Sequence, residues 1–111
     1  MTALASPLAS RGSEQIADRV YRRIAARATA DALAPAWRTR PEPAPPPKAS
    51  ALYTHGRVRL VLHVELPFPC DVAALARAVR DAACERVAEL TGTPVVSAEV
   101  IVDRLHAAAL R

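Results

Sequence analysis

Residues 57–66 read Arg57-Val58-Arg59-Leu60-Val61-Leu62-His63-Val64-Glu65-Leu66. Val58, Leu60, Leu62, Val64 and Leu66 alternate with Arg59, Val61, His63 and Glu65. A period of two places the aliphatic set on one side of a strand and the mixed set on the other. One side therefore belongs in a core, and the other is wet or an interface. Pro67 and Pro69 follow and are expected to end the strand, because proline has no N–H to give a ladder. Just upstream, His55-Gly56 predicts a tight turn in which Gly56 supplies a positive φ. That turn joins a short strand, Ala51–Thr54, into a hairpin.

Downstream the period changes to that of a helix. Asp71 is a good N-cap for a helix running to about Thr91. Its apolar stripe is Val72, Leu75, Ala76, Val79, Ala83, Val87 and Leu90, with Arg77 and Asp81 one turn apart on the wet side. Gly92 suits the left-handed position after the helix, and Pro94 acts as a stop. Val95–Leu105 is the last strand: Ala98, Val100 and Val102 share one face, Ser97, Glu99 and Asp103 the other. Residues 106–111 are expected to trail off.

Working towards the N-terminus, residues 35–50 hold six of the ten prolines, including Pro45-Pro46-Pro47. This composition predicts a linker with polyproline II bias. Trp37 lies within it and either docks back on the domain or stands out as a partner anchor. Residues 13–34 predict a helix capped by Ser13, with Ile16, Ala17, Val20, Tyr21, Ile24 and Ala28 on one face and Arg19, Arg22 and Arg23 roughly opposite. That helix is expected to stop before Pro35. Residues 1–12 show no apolar period and are expected to be disordered.

The expected fold is α+β: a small two-layer α-β-β-α-β domain, its three-stranded mixed sheet covered on one face by helices. Residues 51–106 would form the core of the domain. The second strand, the helix and the third strand form a crossover, which permits parallel pairing. With 111 residues there is room for one domain and a thin core.

The formal charge of +4 is unevenly spread. Residues 1–50 carry eight basic side chains against four acidic ones, and residues 51–111 carry seven of each. The excess at the N-terminal end, with Arg19, Arg22, Arg23 and Arg27 on the first helix, is either a solvated face or a contact for an anionic surface. The two cysteines, Cys70 and Cys84, make no disulfide framework. The sequence shows neither a secretory leader nor an apolar run long enough to span a membrane, so a cytoplasmic location is expected.

Catalytic chemistry finds little support. His63 and Glu65 share a strand face two residues apart and are the strongest candidate pair, but an ordinary wet β face is the better explanation of them. Cys70 stands beside Asp71, which opposes thiolate formation. His55, His63 and His106 are scattered, with no Cys-x-x-Cys, so no metal ligand set is expected. Gly12, Gly56 and Gly92 stand too far apart for a phosphate-cradling loop or the Gly-x-x-Gly clamp of a KH module. An RRM would show aromatic residues where this sheet face shows Val61, His63 and Glu65.

The strand Val58–Leu66, a short connection, a long helix ending in Leu90-Thr91-Gly92 and the strand Val95–Val102 together resemble the bacterial alkaline shock, or envelope stress response, family. Ile16-Ala17-Asp18-Arg19-Val20, continuing to Ile24-Ala25, resembles the opening helix of that family. The region Pro35–Pro47 departs from it, since members have a short glycine- and valine-bearing connection there. The resemblance implies a cytoplasmic, non-enzymatic protein tied to cell-envelope stress. Some members are held near the membrane by an anchored partner, and self-association belongs to the family. It brings no cofactor and no catalytic residue.

The function expected is recognition of a protein partner, self-association included. The expected contact surface is the outward sheet face, Arg59, Val61, His63, Glu65, Glu99 and Ile101, together with an unpaired sheet edge. The alternatives are a nucleic-acid-binding module and a basic amphipathic helix resting on anionic lipid, each using the arginines of the first helix.

Overall fold

The computed structural model describes residues 7–108. Its elements are α1 (Pro7–Trp37), β1 (Lys48–Thr54), β2 (Arg57–Phe68), α2 (Val72–Thr91) and β3 (Val95–Ala107). The strands form one mixed sheet in the order β1-β2-β3, with β1 antiparallel and β3 parallel to β2. The molecule is the expected α+β domain, with both helices on one face of the sheet.

The alternation of β2 decides the core. Val58, Leu60, Leu62, Val64 and Leu66 are all at most 1% exposed. Each such aliphatic side chain contributes about 1.5–3 kcal/mol by leaving water. Val79, Ala83 and Val87 of α2 and Tyr21, Ala25, Leu33 and Trp37 of α1 close over them. The hairpin is tight because His55 and Gly56 both take positive φ, 52° and 76°, the twist that a two-residue loop requires. Asp71 caps α2 by accepting from Ala74 N–H at 3.0 Å, and Gly92 ends it in the left-handed region with its N–H on the Ala88 carbonyl at 2.8 Å.

Several bounds differ from the sequence reading. Residues 1–6 of the segment expected to be disordered lie outside the described residues, but the helix already starts at Pro7, so Ser13 is interior and is not its cap. Proline fits a first helical position, Leu8 and Ala9 after it are good helix formers, and Gly12 costs only about 1 kcal/mol. At the other end α1 passes through Pro35 to Trp37. Proline late in a helix costs about 3 kcal/mol. Burying an indole removes roughly 150–250 Å² from water, or about 4–6 kcal/mol, and so carries the last turn. Trp37 is docked, only 5% exposed. The proline-rich connection is thus residues 38–47, and β1 begins at Lys48, three residues before the expected strand.

The buried stripe of α1 keeps Ala17, Tyr21, Ile24 and Ala28 of the expected face and departs from it at Val20. Tyr21, Ala25, Ala28, Thr29, Leu33 and Trp37 face inward, whereas Val20 is exposed. Leu90 of α2, expected on the apolar stripe, is likewise exposed. β2 continues through Pro67, which lies beyond the last pair with β1 (Lys48 with His63), where a strand with a single neighbour tolerates a missing N–H.

Candidate functional site

Among the described residues, no helix covers the second face of the sheet. Odd-numbered residues of β2 point there: Arg59, Val61, His63 and Glu65. Because β3 runs parallel, Glu99 sits opposite Val61 and Ile101 opposite His63. From β1, Ser50 stands opposite Val61 and Leu52 opposite Arg59. The six residues expected on this face therefore do come together. Val61 and Ile101 are half-buried at its centre, and Leu52 is 54% exposed at its β1 side. Ser50, Leu52, Arg59, Val61, Ser97 and Glu99 line a shallow depression in it.

His63 and Glu65 do not pair with each other. Neighbours two apart along a strand are about 7 Å distant, whereas cross-strand neighbours approach more closely. Each residue reaches instead to β3. His63 Nδ1 lies 3.1 Å from both carboxylate oxygens of Asp103, and Glu65 Oε1 lies 2.6 Å from His106 Nε2. A register irregularity makes both pairs possible. Val64 is paired with Val102 but Glu65 with Arg104, so β3 carries an extra residue, Asp103. The bulge re-aims Asp103 at His63 and brings the even-numbered His106 onto the same face as Glu65.

His106 therefore joins the site, although residue 106 was expected in a trailing end, and Asp103, which the alternation of the last strand already placed on this face, gains His63 as its partner. No feature of the sequence announces the bulge. His106 also meets the edge of the Trp37 ring, with centroids 5.4 Å apart at 72°. Arg40 donates to the carbonyls of His106 and Ala107 at 3.0 and 3.2 Å, and to Glu42 Oε2 at 2.7 Å. The proline-rich connection is thereby tied across the end of β3. Backbone hydrogen bonding, followed by the Arg40 guanidinium, holds the Glu42 carboxyl below the usual carboxylate range.

The two imidazole–carboxylate pairs fix side-chain directions on an otherwise flat surface. Among the described residues, His63 Nε2 makes no hydrogen bond, so it remains available to a group brought by another molecule. No three His, Cys, Asp or Glu side chains among the described residues are grouped as metal ligands. Burial pushes the Cys84 thiol up, and Cys70 lies away from this face, beside the end of α1. No helix among the described residues is long and apolar enough to cross a membrane.

The arginines of α1 lie elsewhere. Arg19, Arg22 and Arg23 line a shallow, open depression with Ala26, Lys48 and Ala49, at the start of β1. Arg27 does not join them, since its Nε is held 3.4 Å from Asp31 Oδ1 one turn along the helix.

No protein-family model, no curated protein and no solved structure matches this chain.

Proposed function

We propose that this chain is a non-enzymatic recognition domain of the envelope-stress-response kind, acting by docking a protein partner, a second copy of itself included, on the open face of its sheet. One observation carries the reading: this face places Val61, Ile101 and Leu52 beside charged groups, of which His63, Asp103, Glu65 and His106 already have their directions set by pairing. An apolar centre with a polar rim is the anatomy of a protein interface. The preset pairs His63–Asp103 and Glu65–His106 reduce the side-chain ordering that binding would otherwise cost. The link to the cell envelope rests on the resemblance of the β2-α2-β3 sequence to that family, and it includes placement near the membrane through a partner.

The test is complementation in the source cell. Loss of the protein should sensitise cells to an envelope challenge such as a cell-wall antibiotic or alkaline medium. The wild-type chain should restore resistance. Ile101→Asp, which puts an unpaired charge at the centre of the face, should not, although the purified variant should remain folded. Full resistance without the protein, or full rescue by Ile101→Asp, would contradict the proposal.

A further inference from the structure

The two-residue hairpin fixes which way each backbone group of β1 points. Its closing pair, Thr54 with Arg57, is a hydrogen-bonded pair, so alternate residues Tyr53, Ala51 and Ala49 turn their N–H and C=O away from β2. The Tyr53 N–H bears this out, because it donates outward to Asp18 Oδ1 of α1 at 2.9 Å. Asp18 blunts that end of the edge. At Ala49 and Ala51 nothing does so, since among the described residues neither N–H has a partner. Beyond Lys48 lie Pro45-Pro46-Pro47, which have no N–H at all. The open part of the edge is therefore short and bounded at both ends.

Beside that opening lie four cations. Arg19, Arg22 and Arg23 from α1 and Lys48 from β1 are exposed and share one shallow, open depression with the small side chains of Ala26 and Ala49. Among the described residues none of the four is in an ion pair. Like charges gathered without counter-charge repel one another, and an anionic ligand relieves that.

We infer that the Lys48–Leu52 edge and the Arg19–Arg22–Arg23 ridge together form a docking site for an acidic, extended peptide segment of a partner, which adds to the sheet as a fourth strand. The edge offers alternating donors and acceptors, and a peptide matches both. The phosphates of a nucleic acid accept but do not donate, and only the 2′-hydroxyls of RNA could reach the Ala49 and Ala51 carbonyls, without the regular alternation of donor and acceptor that a peptide strand brings. The depression also lacks the aromatic platform on which unpaired bases stack. Acidic side chains alternating along the added strand reach the guanidinium groups, and the small side chains of Ala26 and Ala49 leave room for its backbone. The inference rests on the reading that the chain works by binding partners, but it uses the outward backbone groups of Ala49 and Ala51 and the arginines of α1, a site that meets the Val61–Ile101 face only at Leu52.

The experiment is fluorescence anisotropy with a labelled peptide of alternating glutamate and valine and the full chain. Binding should weaken steeply as salt rises. The double variant Arg22→Glu, Arg23→Glu should lose at least about tenfold in affinity, the scale of a lost charge-complementary contact, with an unchanged circular dichroism spectrum. The same peptide with alternate backbone nitrogens methylated should not bind, because a methylated nitrogen cannot donate to the edge. Ile101→Asp should bind the peptide like the wild type, which separates this site from the open face. Equal affinity for the methylated peptide, or preference for a lysine–valine peptide, would overturn the proposal. So would tight binding of oligothymidylate or anionic vesicles with none of the acidic peptide.

Discussion

Trp37→Ala should remove a large part of the stability of this domain. Trp37 is 5% exposed, belongs to the central cluster and meets His106 edge-on. Truncating a buried large aromatic residue costs about 3–5 kcal/mol. One feature lowers the figure: the indole Nε1 is buried without a partner, and such an orphan donor costs about 1–3 kcal/mol, which truncation relieves. A loss of about 2 kcal/mol is therefore expected, against a total of about 5–15 kcal/mol for a domain of ordinary stability. At about 4–8 °C per kcal/mol, the midpoint should fall by roughly 8–16 °C. Trp37→Phe keeps most of the apolar contact and removes the orphan N–H, so it should cost at most about 1 kcal/mol. Urea unfolding followed by far-ultraviolet circular dichroism measures both. Loss of less than about 1 kcal/mol in Trp37→Ala, or equal losses in the two variants, would refute the argument that indole burial carries α1 through Pro35.

Three further outcomes follow from the same geometry. Thr29 is fully buried with its hydroxyl unpartnered, so Thr29→Val should stabilise the chain by about 1–3 kcal/mol in the same unfolding assay. Burial pushes the Cys84 thiol up, so it should react with iodoacetamide more slowly at mildly alkaline pH than a free cysteine does, and the gap should close on denaturation. The folded Glu42 carboxyl titrates below its unfolded value, so its contribution to stability is present above the ordinary carboxylate range and is lost as pH falls through the lowered value. Glu42→Gln should therefore be less stable than wild type at neutral pH, and the two should converge in acid.

Much of the fold was legible because β2 announces itself. Five aliphatic residues in strict alternation can occupy only one side of a strand, and the caps at Asp71 and Gly92 fix the helix that covers them. What was not legible has physical causes. Local propensity at Pro35 opposes a helix that a distant contact of Trp37 sustains, and only the folded molecule brings that contact about. The same holds for the stripe of α1, where Val20 and Tyr21 are equally apolar neighbours and only packing decides that Tyr21 goes in.

The site was legible as a face and not as a set of pairs. Alternation placed Arg59, Val61, His63 and Glu65 together, and parallel pairing brought Glu99 and Ile101 beside them. The partners of His63 and Glu65 depend on the bulge at Asp103, a tertiary feature without a sequence signature here. The depression on α1 was half legible. Helical spacing grouped Arg19, Arg22 and Arg23, but it could not show that Arg27 is taken by Asp31 or that Lys48 completes the set.

The most direct test of the open face as a recognition surface is site-specific photocrosslinking inside the source cell. A benzophenone amino acid would be placed in turn at Ile101, in the middle of that face, and at Arg77, on the exposed side of α2. A discrete protein adduct from position 101 with none from position 77 is the predicted result. No adduct from 101, or the same adducts from both, would contradict it.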